Sequence, residues 1–144
     1  MPDAQFTVDN FRKLALEGFG FLEAKGFRRM QRLEEASPTS GTLVYMGEHV
    51  GFVFSLDLRD KCVDALVVKV LGGQLRPNLQ DGYSSNVFSH LVKYQHYRGR
   101  SAQSRAAISD DSGTTTLQEM INGLADLLKL FGRSLLDDNE RSLP

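Results

Sequence analysis

A chain of 144 residues with 41% hydrophobic and 24% charged residues has a globular make-up, long enough for one domain with its own core. Its formal net charge of −1 excludes a whole-molecule field that would recruit nucleic acid or anionic lipid. Its single cysteine, Cys62, excludes an intramolecular disulfide and fits a reducing compartment.

A first helix is predicted from Thr7 or Asp9 to Gly26. Val8, Phe11, Ala15, Phe19 and Leu22 recur at steps of three and four and form one apolar stripe. Gly26 stands where a left-handed cap residue belongs, while Gly18 and Gly20 weaken the helix inside. The start, MPDAQFTVDNF, lacks the basic and apolar regions of a signal peptide. Phe27–Leu33 is a candidate first strand, and EEASPTSG at 34–41 is turn chemistry.

A meander follows. Thr42–Met46 reads as a strand and Gly47-Glu48 as a turn. In the next strand Val50, Phe52, Phe54, Leu56 and Leu58 alternate with His49, Gly51, Val53, Ser55 and Asp57. That period of two sends one face to the core. Arg59-Asp60-Lys61 is the second turn. Cys62–Leu71, apolar except for Asp64 and Lys69, reads as a central strand covered on much of both faces, ended by Gly72-Gly73. Residues 73–85 read as a polar loop. A second helix is predicted from about Asn86 to Tyr97, and 98–113 reads as a polar linker.

The last helix carries the clearest signal. Thr116 and Glu119 have capping-box spacing, and Leu117, Ile121, Leu124, Leu128, Phe131 and Leu135 form its stripe. Strands followed by helices indicate α+β. The expected fold is an antiparallel three- to four-stranded β-meander, with an N-terminal helix and two C-terminal helices packed on one face. It forms a single domain over 1–144, with 1–6 and 137–144 frayed. No apolar run approaches the roughly 20 residues of a membrane span, so a soluble, cytoplasmic protein is expected.

The chemistry-bearing residues do not assemble into a motif. His49, His90 and His96 lack metal-ligand spacing, and no metal or cofactor is expected. Neither a phosphate loop nor a nucleophile elbow is present. Asp64, inside an apolar strand, needs a partner such as Arg59 or Lys69. With His49 and Cys62 it supplies the only reading as a small-substrate enzyme. Two basic clusters, Lys25/Arg28/Arg29/Arg32 and Lys93–Arg100 with Arg105 further on, supply an alternative reading as a nucleic-acid-binding or regulatory module. Tyr and Arg together also suit a protein interface, and with no global charge behind it, nucleic acid is not the expected partner.

The run FGFLEAKGF, then LVYMGEHVGFVFSLDLRDKCVDALVVKV, then the loop and YQHYRG, resembles a group of small bacterial orphan proteins. These pair an N-terminal helix ending in Gly-Phe with a meander carrying an Asp-x-Arg-Asp turn. Proteins of this size and make-up resemble immunity proteins encoded beside secreted toxins. The resemblance implies a non-catalytic protein that binds one protein partner, a cognate toxin, and it assigns no catalytic residue. The expected contact surface is the 73–85 loop and the YQHYRGR segment, with Tyr83, Tyr94, Tyr97, Arg98 and Arg100 as anchors. A homodimer through the open sheet face is a further option.

Overall fold

The computed structural model describes residues 7–59, 61–76, 82–87, 90, 116–138 and 143. Helix α1 (Val8–Gly18) starts where Thr7 Oγ1 accepts the Asn10 N–H at 3.1 Å, which satisfies one of the free amides of the first turn. The predicted single helix to Gly26 is two: α1 stops at Phe19, and α2 (Phe21–Ala24) follows. The two glycines that flank the break lower helix propensity. The bend keeps both Phe19 and Leu22 fully buried. Gly26, at φ 97, closes the segment in the left-handed conformation.

Among the described residues the sheet has six antiparallel strands: β1 (Arg28–Arg29), β2 (Ser40–Met46), β3 (Val50–Asp57), β4 (Cys62–Leu71), β5 (Gln74–Leu75) and β6 (Ser84–Asn86). β1 to β5 are adjacent in that order, and β6 pairs with β4. The α+β class and the central meander are as expected, but three or four strands become six. The polar loop predicted at 73–85 contains β5, and β6 begins in it. β4 is longer than its neighbours, and both short strands pair with it, supplying ladder partners to backbone groups that β3 leaves open. Ser84–Asn86 is therefore strand where a helix was expected to begin. Val87 and His90 are helical, and the remainder of that predicted helix and the 98–113 linker lie outside the described residues.

Helix α3 (Leu117–Phe131) begins with the predicted capping box. Thr116 Oγ1 accepts the Glu119 N–H at 3.1 Å, and Glu119 Oε1 accepts the Thr116 N–H at 3.4 Å. α4 (Arg133–Leu136) continues the chain past Gly132.

One sheet face carries Leu43, Tyr45, Val50, Phe52, Phe54, Leu56, Val63, Ala65 and Val67, which share one core with Phe11, Phe19, Ile121, Leu124 and Leu128. Phe19 stacks on Phe54 with ring centroids 3.7 Å apart. A Cβ at Gly18 would stand 2.5 Å from Ile121 Cγ2, so α1 and α3 touch directly there. Among the described residues no helix is long and apolar enough to cross a membrane.

Candidate functional site

The opposite face of the sheet carries Thr42, Val44 and Met46 of β2, Gly51, Val53 and Ser55 of β3, and Asp64, Leu66 and Val68 of β4, in register. Val44 and Val68 are only 2% exposed although neither belongs to the helix-covered core. Two short structures close over this face from its two sides.

From the β2 side comes the arm between β1 and β2. Met30 N–H donates to Val44 O at 2.8 Å. The chain then leaves the ladder in a 3-10 turn, Gln31–Leu33, so the predicted strand over 27–33 is only β1. Glu34 takes over as the edge partner. Its Oε2 accepts the Val44 N–H at 3.0 Å and the Arg29 Nε–H at 3.1 Å. Its Oε1 accepts from Arg29 Nη2 at 2.8 Å and from Arg12 Nη2 at 3.3 Å. The Glu34 side chain is 2% exposed. Burial pushes its carboxyl up, but the Arg29 and Val44 hydrogen bonds and the Arg29 and Arg12 charges outweigh it, leaving it below its ordinary value. Backbone pairing resumes at once: Thr42 N–H donates to Glu35 O at 2.9 Å, and Glu35 N–H to Thr42 Oγ1 at 2.7 Å.

From the β4 side comes a hairpin. Gly72 and Gly73 have φ of 59 and 74, the pair of positive values that a two-residue turn of this hand requires. Rather than only ending β4, they fold β5 back on it, pairing Leu71 with Gln74. Leu75 then comes down on β3. A Cβ at Gly51 would collide with Leu75 Cδ2, so glycine is what permits this close approach.

Between arm and hairpin lies a cavity of about 610 Å³, within the usual range for binding clefts. Thr42, Val44 and Val53 form its floor. Met30, Arg32, Leu33 and Glu35 line one wall, and Gly73, Gln74 and Leu75 the other. Leu33 is 44% exposed. The aliphatic floor with a cation and an anion on one wall can receive an apolar side chain and orient it by charge.

Of the anchor residues singled out from sequence, Tyr83 is described, and it does not line this groove. Tyr83 is half-buried, packs against the core, and shares a 2.7 Å hydrogen bond between its hydroxyl and Nδ1 of the buried His90. Tyr94, Tyr97, Arg98 and Arg100 lie outside the described residues. Of the 73–85 segment, Gly73, Gln74 and Leu75 line the groove.

Asp64 is bonded by neither Arg59 nor Lys69: its Oδ1 accepts from Asn86 Nδ2 and from the Ala65 N–H. His49 adjoins Val50, which pairs with Lys69, whereas Cys62 pairs with Asp57 at the other end of the same strands. At about 3.3 Å per residue that separates His49 from Cys62 by roughly 25 Å, so Asp64, His49 and Cys62 are not brought together. Among the described residues no group of three His, Cys, Asp or Glu could hold a metal ion.

Sequence reasoning missed Glu34, Leu33 and Leu75. The available signal was Gly51, a small residue inside an otherwise bulky strand. No protein-family model, no curated protein and no solved structure matches the chain.

Proposed function

We propose that the chain is a non-catalytic, cytoplasmic protein-binding protein, an immunity protein that neutralises a cognate bacterial toxin by occluding it. The observation that supports this reading is the groove between the 30–35 arm and the β4–β5 hairpin. It offers an exposed Leu33 and an aliphatic floor beside Arg32 and Glu35. Interfaces of this kind seat one apolar anchor in a pocket and set its register with charges at the rim. The arm is fixed by the Glu34 bonds and the hairpin by Leu75 against Gly51, so little ordering is left for binding to impose. Tyr83, Tyr94, Tyr97, Arg98 and Arg100 are proposed as further anchors.

The test is co-expression with the reading frames beside the gene. The expected result is rescue of growth from the toxic neighbour and a complex that survives purification. Failure of every neighbour to be rescued or bound overturns the reading.

A further inference from the structure

The β2–β3 turn converges three consecutive backbone amides on one carboxylate. Glu48 N–H donates to Asp138 Oδ2 at 2.6 Å, while His49 N–H and Val50 N–H donate to Asp138 Oδ1, each at 2.9 Å. The turn itself is closed by Gly47 N–H donating to Val50 O at 2.8 Å. Successive N–H groups pointing into one concavity form an anion-binding nest, and bonds to an ionised acceptor are the stronger kind.

The carboxylate lies flat against Gly47: a Cβ there would stand 2.7 Å from Oδ1 and 2.8 Å from both Cγ and Oδ2. It is delivered from just past α4, by a residue held at φ 54, where residues with a Cβ are uncommon. Beside it opens a cavity of about 390 Å³, lined by Arg28, Met46, Gly47, Glu48 and Asp138 among others. Arg28 is exposed.

We propose that this turn is a binding site for a small oxyanion, a carboxylate or a phosphate, which the chain occupies in cis with Asp138. The tethered carboxylate holds the C-terminal segment to the hairpin. An external oxyanion takes its place when Asp138 is withdrawn, with Arg28 as the cation in the same cavity.

The experiment follows the amide resonances of Glu48, His49 and Val50 in the full-length wild-type chain and in Asp138→Gly. Glycine removes the carboxylate while tolerating the left-handed backbone. Formate and inorganic phosphate are titrated separately against chloride at equal ionic strength. In the variant the three resonances are expected to move saturably with formate, phosphate or both, which separates a carboxylate site from a phosphate site. In the wild type they stay still. The variant's thermal midpoint is expected to fall by about 5 °C or more and to recover in part with the active anion.

Gly47→Ala gives a second route that keeps the carboxylate in the chain and displaces it sterically. Hydrogen exchange at the same three amides is expected to accelerate by about tenfold or more. Equal responses of wild type and Asp138→Gly, a variant that answers formate and phosphate no more than chloride, or unchanged exchange in Gly47→Ala overturns the proposal.

Discussion

Glu34 does at the edge of β2 what a backbone carbonyl does in a longer strand. Its buried carboxylate accepts the Val44 N–H and at the same time faces Arg29 and Arg12. Removing it leaves a buried amide without its acceptor and two cations without their anion, so Glu34→Ala is expected to cost about 3 kcal/mol. That is the low end for a buried pair, because Arg12 and part of Arg29 already reach water. Urea unfolding measures it. The pH dependence has a fixed sign. The folded-state carboxyl is held below its ordinary 4.5, so its contribution is present above about pH 4.5 and is lost as pH falls through the folded value. Glu34→Gln is therefore expected to be less stable than wild type near neutrality. The gap should narrow below about pH 4.5, and a gap constant across the acid range would show that charge is not what Glu34 contributes. Gly51 is the second residue on which the groove rests. Gly51→Ala puts a methyl into Leu75, and overpacking of this sort costs about 1–3 kcal/mol. The readout that separates it from a general core defect is local: faster hydrogen exchange at Gln74 and Leu75.

Among the elements, those whose signals are local in sequence were the most legible. α3 begins at a capping box because Thr116 and Glu119 are three residues apart and need nothing else to find each other. Thr116→Ala is expected to destabilise the fold by about 1 kcal/mol, seen as a lower denaturant midpoint with an unchanged slope. β3 and β4 were legible for a related reason. Alternation over Val50–Leu56 names the core face without knowing the partner, and the apolar run of Cys62–Leu71 marks a strand in the same way, although on its second face only Val68 and Val70 are buried. The short elements were not legible. β1, β5 and β6 have two or three residues each, and they are strands only because a longer strand lies beside them. The break between α1 and α2 belongs with these: Gly18 and Gly20 permitted it, but its place is set by Phe19 stacking on Phe54 of β3.

At the scale of the molecule the division of labour between the two sheet faces accounts for what the sequence hid. The helix-covered face is an ordinary core, written in stripes of period two and between three and four. The groove on the other face is written in pairings between distant positions: Glu34 with Val44, Leu75 with Gly51, Thr42 with Glu35. None of these has a local pattern, so a turn rich in Ser, Pro and Thr and a Gly-Gly pair read as mere connections. The same separation makes the proposed function testable without confounding it with folding. Leu33 is exposed and outside the core cluster, so Leu33→Asp is expected to change stability by no more than about 0.5 kcal/mol. If the groove seats a partner's apolar anchor, the same substitution should weaken the complex by about 2 kcal/mol or more, roughly thirtyfold in Kd. Glu35→Lys, which reverses one charge on the wall, should act mainly on the association rate and more strongly at low salt. Surface-plasmon measurements on a complex from the co-expression experiment would resolve both effects. Full affinity in Leu33→Asp and in Val53→Arg, which changes the floor itself, would move the interface off this face.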